Sequence, residues 1–275
     1  MQFYLGTPEP SWLWRAVRLP LFVSHRRLAR LRTLRRATTP WALDSGGFSE
    51  LALYGGWQTS PDEYLAAVAR YEREIGGLEW AAPQDWMCED VMLAKTGLTR
   101  GEHQRRTVAS VLELRGRWSE FSDATCPIVP VLQPDYLDCI ELYRAAGIDL
   151  ANEPLVGVGS VCRRENTEEI GAVLAEIAAA VPGIALHGFG VKSGGLRRYG
   201  EVLVSADSQA WSSAARNDAS RGRDVRTPYC RHKGACAWCR HAALAWRSRV
   251  RAACGLVPDA ARFPEDDELY AAVAS

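Results

Sequence analysis

Trp41-Ala42-Leu43-Asp44-Ser45-Gly46-Gly47-Phe48 is the stretch from which the fold can be read. Three apolar residues without polar alternation predict a short strand covered on both faces. Asp and Ser follow at once, the residues that commonly close a strand-to-helix loop by capping the next helix. The same sequence of events recurs on both sides of this stretch. Apolar runs at Phe3-Tyr4-Leu5, Leu19 to Val23, Glu79 to Ala82, Ile128 to Leu132, Leu155 to Val158, Ile184 to His187 and Val202 to Ala206 bring the predicted strands to eight.

Helix patterns lie between the runs. Ser60-Pro61-Asp62-Glu63 is a capping box with Pro at the first helical position, and Gly76-Gly77 closes that helix. Thr99 and Glu102 repeat the capping-box spacing, and Val108, Val111 and Leu112 form a narrow apolar stripe behind them. A shorter helix runs from Tyr136 to Ala146. Asn166 and Glu169 open another, with Ile170, Val173, Leu174, Ile177 and Val181 on one face. No internal repeat is visible.

Strands alternating with helices over about 200 residues predict an α/β fold, a small (β/α)8 TIM barrel with a C-terminal zinc-binding helical appendage. The expected division is a catalytic barrel over 1–215 and a zinc-binding segment with C-terminal helices over 216–275. The alternative is a doubly wound open sheet. Its Gly-rich fingerprint is not present: Gly157-Val158-Gly159 and Gly188-Phe189-Gly190 both lack the third Gly at the required spacing.

Composition narrows the class. The 275 residues are 47% hydrophobic and 24% charged, which excludes a disordered or fibrous chain. Lys+Arg and Asp+Glu are both 33, which excludes a uniformly basic coat but not a local basic patch. Only Lys95, Lys192 and Lys233 are lysines; the other basic residues are Arg. They concentrate from Arg15 to Arg36 and from Arg216 to Arg251, where they offer phosphate contacts or a solvated face. No run approaches about 18 apolar residues, and Met1 to Pro10 has no signal-peptide pattern. The expected compartment is the cytoplasm.

In a (β/α)8 barrel the site forms at the C-terminal ends of the strands. Reading past each run gives Asp44-Ser45-Gly46-Gly47, Gln84-Asp85, Gln133, Gly157-Val158-Gly159-Ser160, His187-Gly188 and Asp207-Ser208. Each alone reads as an ordinary cap; together they place several carboxylates on one rim. Two carboxylates flanking a glycosidic carbon can split its bond, one attacking the carbon and the other moving protons. An Asp beside a Gln can read a purine edge, and glycines let a flat base approach the backbone.

Cys230, His232, Cys236 and Cys239 fall within ten residues, a donor set suited to a closed structural Zn²⁺ site. His241 and Cys254 compete with His232 for the fourth position. A reducing compartment favours metal ligation over disulfides.

Leu43-Asp44-Ser45-Gly46-Gly47-Phe48 resembles the DSGGF signature of guanine transglycosylases, which exchange guanine in a nucleic acid for a 7-deazaguanine. Ser205-Ala206-Asp207-Ser208 resembles the nucleophile segment of that superfamily, and the Cys cluster matches its zinc site in position. The chain lacks the Cys-x-Cys-x2-Cys spacing of the tRNA-acting members. Gly157 to Arg164 and the Cys/His block look more like the DNA-guanine transglycosylases, which place 7-deazaguanines in bacterial or phage DNA. The resemblance implies Asp207 as nucleophile on C1′ and Asp44 as general acid/base. It implies Ser45, Gly46, Asp85, Gln133, Gly157 and Gly159 around the base, with backbone N–H groups near the last two helping. His187 and Lys192 touch the base or a phosphate, or His187 is a satisfied loop residue. The implied partners are DNA, or alternatively tRNA, a base such as 7-cyano-7-deazaguanine, and accessory DNA-modification proteins. The rival readings are a tRNA-guanine transglycosylase, a base-releasing nucleic-acid glycosidase, and a non-catalytic zinc protein that binds nucleic acid.

Overall fold

The computed structural model describes residues 1–161, 168–191, 193–221, 230, 234–256 and 261–263. Eight strands alternate with helices in chain order. The strands are β1 Gln2–Thr7, β2 Leu21–Ser24, β3 Trp41–Asp44, β4 Leu78–Ala81, β5 Val131–Leu132, β6 Val156–Val158, β7 Leu186–Gly188 and β8 Leu203–Ser208. The α-helices are α1 His25–Leu28, α2 Gly47–Tyr54, α3 Pro61–Glu74, α4 Asp90–Thr96, α5 Arg100–Arg117, α6 Tyr136–Ala145, α7 Glu168–Ala180, α8 Ser193–Tyr199, α9 Ala210–Ser220 and α10 Arg240–Ala253. Each of the eight predicted runs overlaps a strand.

The strands form one sheet in the order β4-β3-β2-β1-β8-β7-β6-β5, parallel throughout. The sheet curls into a half-barrel surrounded by helices. Its two edges meet at one point. Ala81 at the end of β4 forms a parallel bridge with Ile128, just before β5. The Ala81 N–H donates to Pro127 O at 2.8 Å, and Val129 N–H donates to Ala81 O at 3.1 Å.

Aromatic rings fill the concave side. Tyr4, Ala42, Trp80, Val129 and Leu155 are buried together, with Phe22 and Phe189 against them. Trp80 and His187 lie edge to face at 4.6 Å, His187 and Phe189 at 4.8 Å, in the arrangement that ring quadrupoles favour. The convex side packs on the helices. Leu5, Leu21, Val23, Trp41 and Leu43 meet Tyr64, Leu65 and Val68 of α3; Leu132, Val156, Val158 and Leu186 meet α5, α6 and α7.

Both capping boxes form. Ser60 Oγ accepts from Glu63 N while Glu63 accepts from Ser60 N, and Thr99 and Glu102 do the same for α5. Gly76 and Gly77 both have φ near +68°, a conformation open to Gly, and they turn the chain into β4. The stripe predicted on α5 is corrected at one position. Val108 and Val111 are buried, but Leu112 is 43% exposed. The buried face continues instead through His103, Gln104, Thr107 and Leu114. The three polar residues are satisfied by Met87 O, Pro134 O and Trp86 N respectively.

The C-terminal helices belong to the same packing. The Trp211 indole of α9 donates to Gly6 O at 2.9 Å and its ring stacks on Trp12. Ala243 and Leu244 of α10 join the core under β1 to β4, and Val250 joins the other. No helix among the described residues is long and apolar enough to cross a membrane.

Candidate active site

The strand register explains why the polar residues converge. Ser24 pairs with Asp44, Tyr4 with Asp207 and His187 with Ser205. Residues two apart on a strand share a face. Asp44 therefore lies beyond Ala42, and Asp207 beyond Ser205, both over the ring-filled concavity at the C-terminal edge. A pocket of about 240 Å³ opens there. Asp44, Asp85, Glu89 and Asp207 line it with Phe22, Phe48, Met87, Ser160 and Phe189. That volume lies below the roughly 300–1,000 Å³ of pockets for drug-sized ligands. It suits one small, flat ring system.

Asp44 leaves β3 into the Gly46-Gly47 turn. Gly46 has φ +85° and its N–H donates to Asp44 Oδ1 at 3.1 Å. Burial raises the Asp44 pKa, and the nearby charge of Asp207 adds to this. The Gly46 N–H and the Ser24 hydroxyl pull the other way. Ser45 is buried and forms no part of the pocket wall.

Asp207, on β8, is buried. Its Oδ1 accepts from Gly190 N at 2.9 Å and faces His187 Nε2 at 3.3 Å. His187 Nδ1 lies 2.8 Å from Ser205 Oγ. His187 is therefore a fully buried partner of Asp207, and Lys192 lies outside the described residues.

Asp85 follows β4. Its Oδ2 accepts from Gln133 Nε2 at 2.8 Å; Gln133 Oε1 accepts from Ser160 Oγ, which accepts in turn from Cys88 N. Burial, with the charges of Asp44 and Glu89, pushes the Asp85 pKa up to about 7, against the Gln133 hydrogen bond. Gln133 has no exposed surface and lies off the pocket wall, behind Asp85. Gly157 of β6 and Gly159 just after it pack closely against their neighbours. The Gly157 and Gly159 N–H groups are already taken by Pro130 O and Leu132 O, which corrects the expectation of free donors there. A Cβ at Gly157 would lie 2.4 Å from the Phe189 ring, and one at Gly159 2.7 Å from Gln133 Nε2.

The sequence did not single out Phe22, Met87, Phe189 or Glu89. Parallel strands are apolar on both faces, so nothing in Leu21-Phe22-Val23 marks Phe22 as the residue that faces the pocket.

Beyond α9, the Cys230, Cys236 and Cys239 sulfurs come together. Cys230 Sγ is 3.4 Å from Cys239 Sγ and 3.6 Å from Cys236 Sγ. All three lie close enough to bind one metal ion. A tetrahedral ion with metal–sulfur bonds near 2.3 Å sets sulfurs about 3.8 Å apart, so three thiolates fit such an ion. His232 lies outside the described residues. Cys254 sits at the far end of α10, a 14-residue helix about 21 Å long, which excludes it as the fourth ligand. His241 is not part of the cluster among the described residues.

The chain is an α/β protein whose pocket, at the C-terminal edge of a parallel sheet and walled by carboxylates and aromatic rings, has room for a small flat ligand. The family DpdA, DeoxyPurine in DNA protein A, matches residues 1–268, and the chain belongs to that family. No curated protein matches it. A solved structure from Coccidioides immitis, described provisionally as a fructose-1,6-biphosphate aldolase, is similar over 92% of this chain and 89% of that one, at 11% identity and a TM-score of 0.49. At that level the likeness carries no argument.

Proposed function

We propose that the protein is a DNA-guanine transglycosylase, exchanging guanine in DNA for a 7-deazaguanine derivative. The observation that carries this reading is the confrontation of Asp44 and Asp207 across one small pocket, in a chain of the DpdA family. The curled sheet, with its bridge at Ala81, we read as a (β/α)8 barrel over 1–215, followed by a metal-binding segment.

The Asp207 carboxylate attacks C1′ of a flipped-out deoxyguanosine. The bond to N9 breaks with its electron pair on guanine, and Asp44 supplies the proton. The raised pKa of Asp44 suits this role, because burial and the neighbouring Asp207 charge favour its protonated form. The incoming 7-deazaguanine then loses its N9 proton to Asp44. Its N9 attacks C1′ from the face that guanine left, and the Asp207–C1′ bond breaks. Two displacements give net retention. One glycosidic bond replaces another, so the exchange is close to balanced in energy. Flipping the target from duplex DNA costs a few kcal/mol, which a pocket for one base recovers in part by stacking on Phe22, Phe48 and Phe189.

Cys230, Cys236 and Cys239, with His232 as the proposed fourth ligand, hold a structural Zn²⁺ in this reading. Arg27 lies over the half-exposed Trp238 ring at 5.4 Å, next to the thiol cluster. That contact joins the Arg-rich stretch after β2 to the Cys segment, and both would face the phosphates of bound DNA.

The test is incubation of metal-loaded protein with DNA containing labelled guanine and with 7-cyano-7-deazaguanine, beside the same experiment on tRNA. Label lost from DNA with the deazaguanine gained is expected. Exchange confined to tRNA overturns the substrate, and guanine release without incorporation makes the protein a glycosidase.

A further inference from the structure

Of the four carboxylates on the pocket wall, Asp44 and Asp207 carry the proposed exchange and Asp85 is read as a base contact, which leaves Glu89 without a role. Glu89 lies four residues after Asp85 and immediately before α4. A carboxylate at a helix start commonly accepts helix N–H bonds, yet the Glu89 side chain makes no capping hydrogen bond. Its Oε2 has no exposed surface and no hydrogen-bond partner among the described residues. A buried acceptor without a donor is unfavourable in a folded protein, and in a pocket it marks a place for donors of a ligand.

The acceptor capacity of Asp85 explains the need. Its Oδ2 already holds Gln133 Nε2, and its own backbone N–H makes a second interaction. A carboxylate offers about four lone-pair sites, so about two remain. A guanine-type edge presents three N–H donors side by side, one on N1 and two on the exocyclic amine. Asp85 alone leaves one of them unmatched. Among the described residues the wall carries four carboxylates and no Lys, Arg or His, so a base with several donors on one edge fits it.

We propose that Glu89 is a specificity-determining residue: its Oε2 accepts from the exocyclic 2-amino group of the base while Asp85 accepts from N1–H. This assignment rests on the base-exchange reading above. It selects bases that carry a 2-amino group over those with hydrogen at that carbon, because without the amine the Glu89 oxygen stays buried and unpaired.

The test compares equilibrium binding of guanine and hypoxanthine, which differ only in the 2-amino group, to wild-type protein and to Glu89→Gln and Glu89→Ala. Melting curves confirm that each variant is folded. Wild-type protein is expected to prefer guanine by about ten- to a hundredfold, the worth of one charge-assisted hydrogen bond. Glu89→Gln should shrink that ratio about tenfold, chiefly by weakening guanine, and Glu89→Ala should bring it near one. A merely structural role would weaken both bases alike. An unchanged ratio in folded variants overturns the assignment and leaves the exchange reading standing. Failure of wild-type protein to bind either base overturns both.

Discussion

His187 Nε2 and Asp207 Oδ1 meet 3.3 Å apart at the floor of the pocket, and the pairing of β7 with β8 sets that distance. His187 stands opposite Ser205, so its Nδ1 meets Ser205 Oγ and its Nε2 reaches the residue two further along β8. The imidazole is held on both nitrogens and packed between Trp80 and Phe189. It positions Asp207. His187→Gln should leave a folded protein whose exchange rate falls by about a hundredfold, the usual consequence of a misplaced reacting group. Rates and melting curves measured on one preparation check this.

Asp207→Ala removes the proposed attacking group. No DNA adduct should survive denaturing electrophoresis, and exchange should vanish. Asp44→Asn keeps the shape and removes proton transfer, so exchange should slow by about 10²- to 10⁴-fold while an adduct can still form. An Asp207→Ala protein that still exchanges bases would falsify the covalent route.

Asp85 should make stability and base binding respond to pH in opposite directions. Its carboxyl holds a proton up to about pH 7 in the folded protein, against an ordinary value of 3.8. Between those values the folded state binds more protons than the unfolded chain, so stability falls as pH rises through the window. Asp85→Asn does not titrate. It should gain stability relative to wild type from pH 4 to pH 7, with the difference level above that. Base affinity should rise through pH 7 in wild type, as the accepting carboxylate forms, and stay flat in Asp85→Asn. Melting curves and base titrations across pH 4 to 8 check both.

The sequence discloses the strands and the rim more readily than the pocket walls. Six of the eight strand ends carry a local signal: an apolar run, then Asp, Gln, Gly or His. The capping boxes at Ser60 and Thr99 are equally local and form as written. The α5 face is different. His103, Gln104 and Thr107 are buried because backbone groups of distant loops satisfy them, so their burial follows from the tertiary fold rather than helical periodicity. Gln133 shows the same limit within the site. Its place at a strand end is legible, but only the packing puts it behind Asp85 instead of on the wall.

Gly159→Ala tests the packing that holds Asp85. The added Cβ would lie 2.7 Å from Gln133 Nε2 and 2.9 Å from Oε1. Gln133 is fully buried and tied to Ser160, so it cannot swing aside. Alanine should displace the amide, destabilise the fold by about 1–3 kcal/mol and weaken base binding about tenfold. Gly171→Ala on α7 is the control. Its Cβ meets nothing within 4 Å, and the same change in a helix interior should stabilise by about 0.5–1 kcal/mol. Denaturant melts and base titrations on the two variants separate a local clash from a general effect of the methyl group.

The thiol cluster bears on the pocket through α9. That helix starts just past β8, and Ser212 Oγ on it donates to Ala237 O, between Cys236 and Cys239. Ala215 of α9 packs against both cysteines. An ion bound by Cys230, Cys236 and Cys239 therefore fixes the helix that follows Asp207. Strong chelation should lower the melting temperature, and a loss of about 3 kcal/mol corresponds to roughly 6–12 °C in a chain of this size. Cys236→Ser and Cys239→Ser should each reproduce most of that fall and reduce bound metal measured by elemental analysis. Cys254→Ser, one helix away, should retain the ion and shift melting by roughly 2 °C or less. Complete metal removal with an unchanged melting temperature would show that the sulfurs meet without supporting the fold. The contact of α9 with the cluster would then owe its stability to the burial of Ala215, Cys236 and Ala237 alone.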